Sequence, residues 1–424
     1  MNRHVNATRS TRISIAVALI LAAGDALASG FQLQEQTASG LGLAYSGMAA
    51  ATQDASTAFW NPAGMAFLPD SEVTVAAHYI DPSFRFSSAG GPPSGSSYDA
   101  LGNGGDGGVP TWVPALYGRT HLTPRLTAGL SINSPFGLST EWDSQWAGMF
   151  HAIRSKVETL NINPVAAWQV NDFLSVAGGV SYQRLKATLT NAVTPLILTA
   201  QGRVDGSDWG WGWNVGALAD SGQGTRVGLT YRSSISYRIA GQLGFNNPVL
   251  AGLDSGAAAN LKLPQVASIA IAQQITPKLR VLGDFTWTGW NSVRALTVVA
   301  TTGPAAGFPV SSDALNFKNS WRAGIGGEYQ LNHLWLLRAG TAYDRSPVQD
   351  EFRTPRLPDD DRTWLAAGAR LQATERWSFD FGYAYLWVKS APSMLAPAGP
   401  VPGALIGTYH SNTSIFGVQT SLQF

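Results

Sequence analysis

The chain has 424 residues, 45% of them hydrophobic and only 13% charged, with no cysteine. A disordered chain, a disulfide scaffold and a cysteine-ligated metal protein are therefore excluded. Twenty-eight basic against 27 acidic side chains leave a formal charge of +1, which gives no electrostatic pull toward nucleic acid. At the front, Arg3, Arg9 and Arg12 precede an apolar stretch from Ile13 to Ala23 and the small-x-small run Ala26-Leu27-Ala28. This three-part pattern predicts a secretory signal peptide over 1–28, cleaved after Ala28. Its apolar stretch would rise only about 16 Å as a helix, too short for a ~30 Å hydrocarbon core. Beyond Ala28 no run of 18 apolar residues occurs, so the mature chain has no predicted helical span.

Residues 29–70 lack alternation and are rich in glycine and alanine. Alone, so short a segment buries too little surface to fold. Lodged inside a barrel it escapes that limit, and 29–70 is predicted to be an N-terminal plug, or hatch. From residue 71 onward the period is two. Trp377, Phe379, Phe381, Tyr383, Tyr385 and Trp387 share one face, with Ser378, Asp380, Gly382 and Ala384 on the other. Ala323, Ile325, Tyr329 and Leu331 alternate with Arg322, Gly324, Gly326, Glu328 and Gln330 in the same way, and Val227, Leu229 and Tyr231 with Arg226, Gly228, Thr230 and Arg232. A half-buried strand of a soluble sandwich would also alternate.

The connections separate the two. Strands beginning near Val73, Thr111, Arg125, Val157, Phe173, Trp209, Thr225, Lys262, Leu279, Asn319, His333, Thr363, Arg376 and Thr408 make fourteen. Their connections alternate strictly between short turns, such as Asn171 to Asp172, and long loops, such as Ser134 to Lys156, Ala187 to Asp208 and Ala240 to Leu261. A barrel whose turns all face the periplasm and whose loops all face outward produces that rhythm. The predicted fold is all-β, a transmembrane antiparallel β-barrel of fourteen strands over 71–424, its lumen plugged by the hatch. Trp112, Trp209, Trp321, Trp335, Trp364, Trp377 and Trp387 fall near strand ends, where a membrane interface would receive them.

Ser29-Gly30-Phe31-Gln32-Leu33, Ser39-Gly40-Leu41-Gly42, Ala44-Tyr45-Ser46-Gly47 and Asn61-Pro62-Ala63 resemble the hatch of the FadL-type outer-membrane transporters. So, in family order, do Ser131-Ile132-Asn133 with Phe136-Gly137-Leu138, Trp209-Gly210-Trp211-Gly212-Trp213-Asn214, Leu229-Thr230-Tyr231-Arg232-Ser233, and Ser346-Pro347-Val348 followed by Pro358-Asp359-Asp360-Asp361-Arg362. The resemblance implies a fourteen-stranded, hatch-plugged barrel in the outer membrane of a Gram-negative bacterium. It implies uptake of long-chain fatty acids, or alternatively of toluene-like aromatic hydrocarbons, by capture between outer loops, transfer to an inner pocket and lateral release at a kinked third strand. The partners expected are that hydrophobic ligand, outer-membrane lipid and lipopolysaccharide, and the barrel assembly machinery, to which a C-terminal aromatic residue such as Phe424 would be presented. No cofactor and no nucleic acid are expected.

Within this frame Phe31 and Leu33 are expected to line the inner pocket. Asn61, Pro62 and Ala63 fit a hatch turn, because Pro62 fixes φ and restrains Asn61 to extended geometry, and the resemblance implies that this turn lies near the lateral gate. The kink is expected at Asn133, Pro135, Phe136 and Gly137, since Pro135 cannot donate to a ladder. Arg184 and Lys318 are matched to the family's carboxylate-binding cations, although Arg184 shares parity with Val180 and Tyr182 and would face lipid unless a bulge intervenes or it lies above the hydrocarbon. The apolar loops Ala187 to Asp208 and Ala240 to Leu261 would form either an outer capture groove or a packed cap. Asp359 to Asp361 is read as a solvated loop rather than a divalent-cation site. A hydrolase is disfavoured, because G-x-S-x-G and H-E-x-x-H are lacking and the histidines are scattered. An open general porin is the other rival. No energy-coupling motif is evident, so movement is expected to be passive.

Overall fold

The computed structural model describes residues 30–92, 95–395 and 403–424, so the expected signal peptide lies outside the described residues. Twenty β segments run in chain order: β1 (Glu72–Ser88), β2 (Thr111–Thr123), β3 (Leu126–Asn133), β4 (Gly137–Glu141), β5 (Arg154–Gln169), β6 (Leu174–Thr194), β7 (Ile197–Asp220), β8 (Thr225–Arg232), β9 (Ile235–Phe245), β10 (Ser255–Leu263), β11 (Val266–Thr276), β12 (Leu279–Thr288), β13 (Ala295–Ala300), β14 (Pro309–Ala314), β15 (Ser320–Gln330), β16 (Trp335–Asp344), β17 (Arg362–Gln372), β18 (Trp377–Val388), β19 (Ala391–Leu395) and β20 (Leu405–Gln423). β3 and β4, β8 and β9, and β10 and β11 are each one spanning strand broken by a short irregularity. β13, β14 and β19 are additions to the loops, so fourteen antiparallel strands make the wall. The barrel closes where β1 pairs with β20, from Glu72↔Gln423 to Ser88↔Gly407. Closure removes the free lateral edges of the sheet, the condition for it to sit in hydrocarbon.

Side-chain facing shows which solvent the wall is built for. On β18, Phe381, Tyr383 and Trp387 are exposed while Ser378, Asp380 and Ala384 are buried; on β15, Ile325 and Tyr329 are exposed while Arg322 and Glu328 are buried. The apolar face points outward and the charged face inward, the reverse of a soluble sandwich. β15 to β18 are 10 to 12 residues long, enough for tilted spans of a bilayer. Trp364 departs from the expected aromatic girdle. It is fully buried on the inner face, edge-on to Tyr45 of the hatch with ring centroids 6.1 Å apart.

Two expected loops are sheet instead. β7 begins at Ile197 rather than Trp209, and β6 and β7 stay paired from Leu174↔Ala219 to Ala192↔Gln201 before the turn. β10 begins at Ser255 rather than Lys262 and pairs with β9. Both hairpins rise beyond the other strands and join each other through β7 and β9, Gly202↔Phe245 to Ser207↔Ala240. Of the apolar residues expected there, Leu243 packs with Ala257 and Val298, and the groove between the hairpins is lined by polar groups such as Gln201, Arg203, Asp205 and Gln242. Leu196, Val249 and Leu253 stay exposed, so the hairpins leave a groove and do not pack as an apolar cap over it.

Residues 30–70 fill the lumen with two single-turn helices, α1 (Ala38–Leu41) and α2 (Thr57–Trp60), and a 3-10 turn over Pro62–Phe67. Glycines let plug and wall touch: a methyl group on either Gly42 or Gly368 would strike the other's backbone. Ions then fix the seat. Arg370 joins Asp380 of the wall (2.9 Å) to Asp54 of the hatch (3.2 Å), Arg338 joins Asp380 (2.5 Å) to Glu328 (2.9 Å), and Gln53 of the hatch donates to Glu328 (2.6 Å). Such buried pairs cost desolvation and add little net stability, but a misplaced plug would leave their charges unpaired.

Candidate functional site at the hatch and the broken strand

The third spanning strand is interrupted where proline was expected to interrupt it. β2 pairs with β3 only as far as Leu116↔Ile132, while the next residues of β2, Thr111 to Ala115, have a ladder partner on β1 alone. Above the break, Gly108↔Thr140 and a hydrogen bond from the Glu141 amide to the Gly107 carbonyl (3.0 Å) bring the chain back to the wall. Between these limits the sheet has a window. Residues 133–140 are all buried, without the alternation of other strands, because the chain has turned into the lumen.

The hatch supplies the missing ladder partner. The Leu33 amide donates to the Pro135 carbonyl (2.8 Å), the Gly137 amide donates to the Phe31 carbonyl (2.9 Å), and Gln32 stands opposite Phe136 in an antiparallel bridge. Gln36 adds a hydrogen bond from Nε2 to the Ser134 carbonyl (3.0 Å). On the other side, the Thr159 hydroxyl accepts from the Phe136 amide (3.0 Å). Phe31, Leu33, Pro135, Phe136 and Gly137 are thus brought together as one unit, with Asn133 at the last rung of β3, its Oδ1 accepting from Asn161 Nδ2 (3.0 Å). Gly30 anchors its tip: its amide donates to Asp359 Oδ2 (3.0 Å), its φ is +64°, and any side chain there would enter the Trp290 ring.

Above the bend lies an apolar cluster. Phe31 meets Trp290 at 4.8 Å and Phe136 at 6.1 Å, and Trp290 meets Phe317 at 5.8 Å. Trp142 and Trp146, from the loop after β4, stack at 4.7 Å in the same cluster with Met149 and Phe150. Leu33 faces the other way, into the core of the plug. Below the bend a cavity of about 70 Å³ is bounded by Leu33, Phe59, Trp60, Pro135 and Phe136, with Arg232 and Arg322 on its polar side. Ligand pockets for small molecules run to ~300–1,000 Å³, so a chain-like ligand enters only if rings or hatch give way.

Other expected site residues lie elsewhere. Asn61 donates from Nδ2 to the carbonyls of Ala49 (2.7 Å) and Ala217 (3.0 Å), and its Oδ1 accepts from the Ala63 amide (3.2 Å), capping the 3-10 turn begun by Pro62. Ala217 is opposite Val176 on β6, seven residues from Gln183, which is level with Asn133. That is roughly 23 Å along the strand at ~3.3 Å per residue, so this turn braces the plug against β7 and does not touch the bend. Arg184 is exposed on the outer face, because the β6–β7 register runs without a bulge up to Arg184↔Trp209. Its level beside Trp209 is the aromatic interface, the second of the two options its parity left. Lys318 is also exposed at the outer rim, its amide bonded to the Pro347 carbonyl (3.0 Å). Cations inside include Arg232, whose Nη2 donates to the Phe59 carbonyl (2.9 Å), Arg322, and Arg356, bonded to Asp313 (2.9 Å) and the Ser155 hydroxyl (3.1 Å). Strand parity places Arg232 and Arg322 inward from sequence alone.

Asp359 to Asp361 is not a solvated loop either. Asp359 is buried against Arg362 and also accepts from Ser346 (2.7 Å), Asp360 pairs with Arg353 (3.1 Å), and Asp361 accepts from Tyr343 (2.6 Å). No metal-binding group of side chains occurs among the described residues. Glu35, two residues past Leu33, is fully buried, and no side chain donates to its carboxyl. Burial pushes that carboxyl up to about 7, against the opposing pull of backbone amides and of Arg362.

Residues 19–424 match the family described as outer membrane protein transport protein (OMPP1/FadL/TodX). The chain belongs to this family. It is 30% identical to the long-chain fatty acid transport proteins of Salmonella typhi and of Escherichia coli K12, with 89% of this chain and 92% of each relative covered. Among solved structures, a Pseudomonas aeruginosa FadL homologue superposes with a TM-score of 0.84 at 25% identity, over 93% of this chain and all of that one. The Pseudomonas putida toluene transporter TodX shares the fold at a TM-score of 0.66 and 15% identity, over 90% and 98% of the two chains. Family membership and the outward apolar wall place the protein in the bacterial outer membrane, as a transport protein.

Proposed function

We propose that this protein carries long-chain fatty acids passively across the outer membrane. An apolar chain is taken into the cluster around Trp290 and Phe136, held against Phe31 of the hatch, and released sideways through the window between β2 and β4. The observation that carries this reading is the antiparallel pairing of Phe31–Leu33 with Pro135–Gly137, because it makes one peptide both the floor of the apolar cluster and the closure of the window. Each buried methylene contributes about 0.8 kcal/mol, so ten would supply roughly 8 kcal/mol before ordering costs. So tightly held a ligand needs a moving part to leave, and withdrawal of the N-terminal peptide removes a wall of its site. Leu33 acts in this reading through its backbone bond to Pro135, and Phe31 through its ring. Arg356 and Arg232, rather than Arg184 and Lys318, are the cations positioned to meet a carboxylate.

The density of aromatic rings in the cluster favours a second reading, a monoaromatic hydrocarbon as cargo. Competition on purified protein separates the two. Oleate should displace a bound fluorescent fatty acid at far lower concentration than toluene, and the reverse order would transfer the assignment to aromatic cargo.

A further inference from the structure

We propose that the outer wall spanning β6, β7, β9 and β10 is a binding site for a phosphorylated glycolipid of the outer leaflet. Three cations face outward on neighbouring strands, two of them level and the third two residues along. Arg184 on β6 is opposite Trp209 on β7. β9 joins β7 through Ser207↔Ala240, so Arg238, two residues on, is level with Trp209, and its amide donates to Asp208 Oδ2 (2.7 Å). Arg238 is opposite Asn260 on β10, and Lys262 lies two residues along that strand. All three residues are exposed, and among the described residues none of the three side chains makes a hydrogen bond or ion pair. The nearby acids are engaged: Glu158 by Lys156 (2.6 Å), Asp205 by Arg203 (2.5 Å) and Asp208 by the Arg238 amide.

Directly below the cations the wall is aromatic. Tyr182 stacks on Trp209 at 4.3 Å and leans on Trp211 at 4.4 Å, and Trp211 is 66% exposed. Such rings mark the boundary between head groups and hydrocarbon. Further down the same side, on β7, β8, β11 and β12, the outer surface carries a groove of about 450 Å³ with a floor of Gly216, Ala217 and Ala267 and walls that include Leu229, Ile269 and Phe285. Unpaired cations at head-group level, a ring shelf and an apolar groove follow one another along the bilayer normal, the order of parts in a lipid molecule.

The charge pattern selects the occupant. Arginine binds phosphate oxygens in a bidentate fork. Three inter-strand steps of ~4.8 Å put Arg184 and Lys262 roughly 15 Å apart, wider than one phosphate bridges. A glycolipid with phosphates at both ends of its sugar head meets this span, whereas a phospholipid offers a single phosphate.

Native mass spectrometry of the full-length protein in detergent tests the assignment, with four probes: a bis-phosphorylated lipid A, the same lipid dephosphorylated, phosphatidylglycerol and phosphatidylethanolamine. Wild type should retain one bis-phosphorylated lipid A per barrel. Arg184→Gln/Arg238→Gln/Lys262→Gln should lower that retention at least tenfold, and Lys389→Gln, on the far side of the ring, should leave it unchanged. Arg238→Glu alone should weaken retention more than Arg238→Gln. Equal retention by wild type and the triple variant, or equal retention of the dephosphorylated lipid, would overturn the site. Retention of phosphatidylglycerol as strong as that of lipid A would overturn the choice of occupant.

Discussion

At the scale of single residues, Phe31 and Glu35 sit four positions apart and do opposite things. The Phe31 ring touches both Trp290 and Phe136, so it contributes contact area to the apolar cluster from the hatch peptide. Phe31→Ala should weaken oleate binding about tenfold, equivalent to ~1.4 kcal/mol, while heat-modified electrophoretic mobility of the barrel stays as in wild type. Glu35 is a carboxyl whose ionisation is delayed by burial. Its folded pKa of about 7 lies above its ordinary value of 4.5, so between those limits the seated hatch binds more protons than the unseated one. Seating is therefore strongest below about pH 4.5 and weakens as pH rises toward 7, by up to about 1.4 kcal/mol per pH unit. Hydrogen exchange of amides in residues 33–45 should consequently quicken across that window. Glu35→Gln should flatten the dependence and slow exchange at neutral pH; a pH profile identical to wild type would contradict it.

At the scale of elements, the decisive arrangement is a strand that leaves its sheet and is paired from inside by another part of the chain. Gln32 and Phe136 face each other as a non-hydrogen-bonded antiparallel pair, whose ~4.5 Å Cα separation suits a disulfide. Because the chain has no cysteine of its own, Gln32→Cys with Phe136→Cys introduces a single defined lock. Oxidised, this variant should lose uptake of labelled oleate in cells, and reductant should restore it. The bend was legible in the sequence because Pro135 has no amide to give a ladder, and strand facing was legible because the side-chain period of two is set by backbone geometry. The height of the β6–β7 and β9–β10 hairpins was not. Above the bilayer both faces meet water, alternation fades, and only ladder bonds reveal that the strands continue. The seat of the Asn61-Pro62-Ala63 turn was hidden for another reason: its partner on the wall, Ala217, is 156 residues away and offers only a backbone carbonyl.

At the scale of the whole molecule, the lumen is filled and ionically latched. Arg370 and Asp54, partners across plug and wall, are 316 residues apart, a pairing no local pattern announces. Planar-bilayer recordings of the full-length protein should show little conductance, and deletion of residues 30–70 should open a large, weakly selective pore. Gly30 carries one more implication. Its amide is held by Asp359 with the Trp290 indole pressed against its α-carbon, so the position has no room for a side chain. A bulkier residue at position 30 would wedge the indole aside and unhitch the front of the hatch from its mooring.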